Sequence, residues 1–415
     1  MCNSLRRPSF LFSAVMFAAF VLACASQASA QLVISEFRYR GPNGANDEFI
    51  EIYNNSGADH TVNGLGASAG YGVVASDGVL RCLIPDGTVI PTRGHYLCVN
   101  SVGYSLASHP AGNGTTATGD ATFTTNIPEN VGLAIFTSNL AADFIAANRM
   151  DAVGTTAEAN TLYKEGTGLP TLVGFSIDYA WVRDACGKGG SITTFGACPL
   201  STPKDTNNNA ADFYFVDTNG TAAGGGQRLG APGPENLSSP IQRNEAFGFN
   251  NLDPCVSSAS PPNRVRDFTS KPENNATFGS LDIRKTVTNN TGGNVTRLRF
   301  RVVDLTTFPA PSGIADLRPR TSTAVVSTVD RAPCGSGTSN VTVQGTTLEQ
   351  PPAQPNGGGF NSTLSVGTIT LATPLRPTDD PATIGVIDNQ VDVRFLLGIQ
   401  QNGSFKFYIN IEALP

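Results

Sequence analysis

From Leu32 onward the chain is a succession of short apolar runs, each soon stopped by Gly, Pro, Asn, Ser or Thr. The first run, Leu32-Val33-Ile34-Ser35-Glu36-Phe37-Arg38-Tyr39, meets a Gly41-Pro42-Asn43-Gly44 turn. Glu48-Phe49-Ile50-Glu51-Ile52-Tyr53 follows, and the two runs predict a hairpin. Runs at Tyr71 to Val74, Val79 to Ile84, His95 to Val99, Val131 to Phe136 and Tyr179 to Val182 continue the pattern. In the second half the period of two is cleaner. Leu281, Ile283 and Val287 alternate with Asp282, Arg284 and Thr286. After the Asn289-Asn290-Thr291-Gly292-Gly293 turn, Leu298, Phe300 and Val302 alternate with Arg297, Arg299 and Arg301. Near the end, Val391, Val393, Phe395 and Leu397 face Phe405, Phe407, Ile409 and Ile411 across Gln401-Asn402-Gly403-Ser404, the strongest hairpin signal in the chain. A period of 3.6 is not sustained anywhere, and only Leu140 to Met150, capped by Ser138 or Asn139, predicts a helix. The pattern implies an all-β fold of two antiparallel sandwiches, the second the smaller and broken by a Pro/Gly-rich loop at Gln350 to Gly359.

What precedes Leu32 reads differently. Arg6 and Arg7, an apolar run from Phe10 to Leu22, and Ala28-Ser29-Ala30 before Gln31 have the order of a secretory signal peptide over residues 1–30. Val21-Leu22-Ala23-Cys24 allows a rival reading in which Cys24 is lipidated. The apolar run is shorter than the ~20 residues of a membrane-spanning helix, and no other segment predicts one. Composition shifts to Gly, Pro, Ser and Asn from Asn219 to Pro262. The expected organisation is therefore a first sandwich over 31–240, a linker over 241–262 and a second sandwich over 263–415.

Charge and cysteine usage narrow the function classes. Without Arg6 and Arg7 the chain holds 25 basic and 33 acidic residues. Residues 31–261 carry 11 basic against 21 acidic, whereas 262–415 carry 14 against 12. An acidic first half repels phosphate backbones, so nucleic acid is not an expected partner. Six cysteines follow residue 30: Cys82, Cys98, Cys186, Cys198, Cys255 and Cys334. An even number in an exported chain reads as disulfides, with neighbours in sequence suggesting Cys82–Cys98 and Cys186–Cys198 and leaving Cys255–Cys334. With 44 Gly, 27 Pro and 14% charged residues, neither a coiled coil nor a disordered charged tail fits.

One resemblance enters at the first hairpin. Ile34-Ser35-Glu36 followed by Asp47-Glu48-Phe49-Ile50-Glu51-Ile52-Tyr53-Asn54 resembles the start of the lamin-tail-like domains of secreted bacterial proteins. Ile90 to Leu97, Asn130 to Phe136, Asp151 to Gly154, Asp205 to Phe213 and Gly230 to Asn236 agree in order, so the likeness spans the first half. Gly64-Leu65-Gly66 departs from it, standing where those domains carry an aromatic. The resemblance implies an immunoglobulin-like sandwich used for interaction, without catalytic residues.

Four sequence features carry candidate chemistry. Gly66-Ala67-Ser68-Ala69-Gly70 matches a nucleophile elbow but lacks the preceding strand and following helix, and reads as a small-residue loop. Asp205, Asn207, Asn209 and Asp212 offer alternating oxygens for a structural calcium ion, although Ala210 and Val216 stand where a helix-flanked calcium loop needs Gly and Glu. The other reading there is an Asx-rich turn. Glu36, Asp47, Glu48 and Glu51 gather at the first hairpin and read as solvated strand charges or turn bonds rather than an acid–base pair. Arg297, Arg299 and Arg301 line one strand face, either as an outward binding stripe for an acidic ligand or as charges that protect the sheet. The expected function is an exported, non-catalytic surface or extracellular interaction and scaffold protein, with protein or polysaccharide partners and no cofactor beyond possible calcium. Its alternatives are a calcium-dependent carbohydrate-binding module and a secreted hydrolase.

Overall fold

The computed structural model describes residues 32–110, 115–172, 177–186, 202–220, 228–310, 312–331, 333–380 and 388–415. The signal-peptide and Cys24 readings, Cys198 and the Gly224-Gly225-Gly226 stretch lie outside these residues.

The first half supplies twelve strands. They are β1 (Leu32–Arg38), β2 (Phe49–Asn54), β3 (His60–Thr61), β4 (Gly70–Ala75), β5 (Leu80–Pro85) and β6 (Val89–Ile90), then β7 (His95–Asn100), β8 (Ala121–Phe123), β9 (Leu133–Phe136), β10 (Arg149–Val153), β11 (Tyr179–Arg183) and β12 (Phe213–Asp217). A six-stranded sheet of order β12-β11-β1-β2-β7-β8 faces a four-stranded sheet of order β10-β9-β4-β5, and β3 pairs with β6 beside them. The pairings are antiparallel except β7 with β8. Alternation explains the core. Ile50, Ile52, Cys98, Trp181 and Phe215 point inward from the larger sheet and meet Val73, Ile84, Leu133, Ile135 and Val153 from the smaller. The Cys82–Cys98 disulfide joins β5 to β7 across that core.

The second half supplies β13 (Ile241–Gln242), β14 (Phe247–Asn251), β15 (Arg264–Asp267), β16 (Ser280–Asn289), β17 (Arg297–Leu305) and β18 (Asp316–Arg320), then β19 (Val325–Asp330), β20 (Thr338–Gly345), β21 (Thr347–Leu348), β22 (Thr363–Ser365), β23 (Gln390–Gln401) and β24 (Phe407–Leu414). A five-stranded sheet, β13-β24-β17-β22-β21, packs on a seven-stranded one built on β14-β16-β23-β20-β19, with β15 on β16 and β18 on β23. Leu298, Phe300, Val302 and Ile411 of the first meet Leu281, Val287, Val393, Phe395 and Leu397 of the second. Cys255–Cys334 is a disulfide within this half.

An all-β architecture is thus what the alternation specifies, with several corrections. The second sandwich is not the smaller in strand count, and β20 runs parallel to β23. Residues 241–262 are not a linker, because β13 and β14 fall inside them and pair with β24 and β16. Phe247 and Leu252 bury themselves there, and the strand bonds through its backbone regardless of its Gly and Asn content. The Asn402-Gly403 turn does not close a hairpin, since β23 and β24 lie in opposite sheets. The alternating residues of both still face one core, with the Phe395 and Phe407 rings 5.6 Å apart. Leu140 to Met150 forms two 3-10 turns, Ala141–Asp143 and Ala146–Asn148, before β10 begins. Ser138 Oγ accepts from the Leu140 N–H as a cap would, but Asn148 Nδ2 donates to the Asp143 carbonyl and competes with a helical bond.

Candidate functional site

The two sandwiches meet face to face. On the six-stranded sheet, the residues opposite to the core are Phe49, Leu97, Val99, Ala180, Val182 and Val216, and Phe360 of the second half packs among them. Beside this apolar patch the same outer face turns polar, and there the charged groups converge. Glu36 reaches it through a bulge. Ile34 pairs with Ile52, but Glu36 pairs with Glu51, so Ser35 is an extra residue that turns Glu36 to the outer face and Phe37 back into the core. Glu51 and His95 arrive from β2 and β7, and Glu235 from the segment that follows Gly233. From the second sandwich, the outer face of β17 and β24 contributes Arg299, Arg301 and Glu412, with Arg299 opposite Glu412 in register.

These side chains bind one another. Arg299 Nε donates to Glu412 Oε2 at 2.5 Å, and its Nη2 donates to Glu235 Oε1. Arg301 Nε donates to Glu412 Oε1 at 2.7 Å, its Nη2 lies 2.8 Å from Glu235 Oε2, and its Nη1 donates to Asn361 Oδ1 at 2.7 Å. Glu349 Oε2 stands 3.5 Å from Arg299. Glu36 accepts from the Gly233 N–H at 3.0 Å and from Asn361 Nδ2 at 2.9 Å, and Glu51 accepts from Ser35 Oγ at 2.5 Å and the Glu235 N–H at 2.7 Å. Neither of the last two carboxyls touches a guanidinium among these bonds. The cavity they share with His95 has a volume of about 60 Å³. That is room for about two water molecules, well below the several hundred Å³ of a substrate pocket.

Burial sets the protonation states. It pushes Glu36 up to about 7 against the pull of Arg301, and Glu51, facing Glu36 and Glu235 as well, rises well above the ordinary carboxylate range. Burial acts on Glu235 too, but Arg301, His95 and Arg299 outweigh it and hold the group at about 2. His95 is pushed down to about 4 by burial, despite Glu235 3.3 Å from its Nε2. The chamber therefore sets two arginines against an ionised Glu235, while burial raises Glu412 against the pull of Arg301 and Arg299, and raises Glu36 and Glu51 as well. His95, Glu51 and Glu235 lie close enough to share a metal, yet both Glu235 oxygens already face arginines, which disfavours a cation there.

The residues singled out in the sequence fare unevenly. Arg299 and Arg301 are not an outward stripe, being 1% and 7% exposed in the interface, because the first sandwich covers the face that alternation leaves polar. Arg297 is half-buried at the end of the row and belongs to no ion pair among the described residues. Glu36, Asp47, Glu48 and Glu51 are not solvated, and all four are buried. Asp47 pairs with Arg38, and Glu48 accepts from Asn100 and the Ile127 N–H. Ser68 Oγ donates to the Gly70 carbonyl inside a turn.

No protein-family model, curated protein or solved structure matches the chain.

Asp205, Asn207, Asn209 and Asp212 do not converge on one point. Asp212 lies at the end of the short helix α1 (Asn209–Asp212) and accepts from the Thr206 and Asn208 N–H groups. Asn209 Oδ1 accepts from the Gly154 and Glu165 N–H groups and its Nδ2 donates to the Ala152 carbonyl, so its oxygen is occupied, and Asn207 is exposed with a left-handed backbone. Of the four, Asp205 alone joins other acids, Asp151 and Glu165, with one oxygen from each within 4.8 Å of the others. Arg183 donates to Asp151 Oδ2 at 2.6 Å and stands 3.6 Å from Asp205. Burial raises Asp151, and burial with Asp151 and Asp205 pushes Glu165 up to about 8. Alternation gave no sign of Asp151, Glu165 or His95, since each is a single polar residue in an apolar or irregular stretch. Glu412 was open to a pairing argument, because it sits in a run that alternates like the arginine strand.

Proposed function

We propose that this is an exported, non-catalytic surface or extracellular interaction protein, in which a lamin-tail-like first sandwich and a second sandwich act as one rigid scaffold. The observation that carries the reading is the ion network of the interface, where Arg299, Arg301, Glu235 and Glu412 bind one another across the two sandwiches. Export is supported by the order of residues 1–30, by the Cys82–Cys98 and Cys255–Cys334 disulfides, and by there being no helix among the described residues long and apolar enough to cross a membrane. The lamin-tail-like reading rests on the ordered motifs from Ile34 to Asn236.

A surface for partners is at hand on the second sandwich. Phe249, Ile283, Phe405, Phe407 and Ile409 line a groove of about 280 Å³, with Lys285 Nζ 5.7 Å from the centre of the Phe249 ring. Half-exposed aromatics of this kind suit the flat apolar face of a sugar ring or an apolar side chain of a protein partner. Sedimentation with isolated cell envelopes and with a panel of insoluble polysaccharides tests the reading. Retention on one class, reduced by Phe249→Ser, supports it. A protein that stays in the supernatant throughout, or that releases soluble sugar or phosphate from the panel, would overturn it.

A further inference from the structure

We propose that Asp151, Glu165 and Asp205 bind one calcium ion inside the first sandwich, a site separate from the interface and independent of the scaffold reading above. Asp151 comes from β10, where a bulge at Met150 sets its side chain, Glu165 from the loop after Tyr163, and Asp205 from the loop before α1. One oxygen of each lies within 4.8 Å of the other two. This is about the widest separation of two oxygens that share an ion with bonds of about 2.4 Å.

The second observation is the state of the oxygens. Asp151 Oδ2 is occupied, accepting from the Ile34 N–H and from Arg183, both at 2.6 Å. Asp151 Oδ1 and Glu165 Oε2 are buried and have no hydrogen-bond donor among the described residues, in side chains that are 1% and 6% exposed. Buried acceptors are seldom left unpaired. Three carboxylates here, with Asp212 4.0 Å from Arg183 as a fourth, face only Arg183 and Arg149, the latter 3.4 Å from Glu165 Oε1. Four carboxyl groups thus share two guanidinium groups. Asp151 Oδ1 and Glu165 Oε2 are the oxygens left free for an ion, since Arg183 and the Ile34 N–H already hold Asp151 Oδ2.

Oxygen-only ligands select a hard cation over zinc or copper. Calcium is favoured over magnesium because three protein carboxylates in an irregular arrangement suit its flexible coordination, whereas magnesium holds its waters and demands an octahedron. The ion would tie three segments that are distant in sequence. The Asp205-to-Asp212 run therefore contributes a single ligand, the Asp212 side chain serves the turn, and that of Asn209 ties the run to Ala152, Gly154 and Glu165.

The test is calorimetric titration of the chelator-stripped full chain with calcium chloride, paired with thermal melting in calcium and in chelator. One calcium per chain is expected, with a dissociation constant of about 1 mM or tighter and a higher melting temperature in calcium. Glu165→Gln and Asp205→Asn should each weaken binding by about tenfold or more and remove the melting shift. Asn207→Ala should change neither. If Glu165→Gln fails to fold, Asp205→Asn decides, since Asp205 sits in a loop at the rim. Wild-type protein without calcium uptake at 10 mM, equal uptake in all variants, or tighter uptake of zinc than of calcium would overturn the proposal.

Discussion

The carboxylates that face Arg299 and Arg301 are held by them, whereas two carboxyl oxygens near Arg183 have no donor among the described residues. In the interface, two guanidinium groups meet Glu235 and Glu412 directly and Glu349 at 3.5 Å, while burial raises Glu36 to about 7 and Glu51 well above the ordinary carboxylate range. In the triad, three carboxylates share one close arginine and one more distant, and two oxygens are left bare. Both clusters are largely buried, so the contrast is one of pairing. A buried charge needs a partner of opposite sign, and where the chain does not supply one, the molecule must hold a proton or take up a cation from outside.

The sharpest way to break the comparison is to remove one interface arginine. Arg299→Leu strands Glu235 and Glu412 in a dry joint and is expected to cost about 3–5 kcal/mol, read from urea denaturation at neutral pH. A loss under about 1 kcal/mol would place these groups in water after all.

The pH dependence of stability is the next largest effect. Glu36 is raised to about 7 and Glu48 to about 8 from 4.5, by burial in each case. The folded protein keeps those protons after the unfolded chain has lost them, so their stabilisation is complete below 4.5 and is lost as pH rises through 7 and 8. His95 and His109 are lowered to about 4 from 6.5 by burial, and their effect runs the other way, with stability lost as pH falls from 6.5 toward 4. The two sets oppose each other between 4.5 and 6.5, and above 6.5 only the acids act. Denaturation in chelator should therefore show stability falling by on the order of 2–4 kcal/mol between pH 6.5 and 8.5. A flat profile there would contradict the burial of Glu36 and Glu48.

Glu165→Gln sharpens the comparison from the other side. In chelator it removes a carboxyl that faces two others, so stability should change by no more than about 1 kcal/mol, or rise. A loss as large as that of Arg299→Leu would mean that the triad is as well paired as the interface. The smallest effect is expected at the rim, where Arg93 of the first sandwich pairs with the exposed Glu245 of the second. Arg93→Ala should cost less than about 1 kcal/mol, since solvent screens such pairs.

What could be read from the sequence was the face of each residue and the type of each element. Alternation placed Leu298, Phe300 and Val302 on one side of β17 and the three arginines on the other, as the structure does. It could not say that another sandwich lies on the polar side, because a covered polar face and a wet one have the same pattern. The same limit applies to Glu51. The Asn402-Gly403 turn shows a second limit, since a turn between two alternating strands fits both a hairpin and a passage from one sheet to the facing one. Glu36 shows a third. Counted by twos from Ile34 it would point into the core, and only the bulge at Ser35 turns it outward. The uneven division of charge between the halves was the one global clue to a joint between them, with 21 acidic residues in the first and an excess of basic residues in the second.

The composition of the joint also bears on how the chain is made. Synthesis delivers the first sandwich while Arg299, Arg301 and Phe360 are still to come, and domains tend to fold in that order. At that stage the outer face of the six-stranded sheet exposes Phe49, Leu97, Val99 and Val182 to water. A wholly apolar face would be prone to association during the wait. Glu36 and Glu51 stand beside these residues, and in water both would be ionised at neutral pH, giving the half-made protein a negative, hydrated surface. Arrival of the second sandwich then draws protons from solution as Glu36 moves to about 7. The carboxyl groups thus act twice, first as a solubilising coat for an unfinished chain and then, protonated or paired with arginine, as the seal between two finished ones.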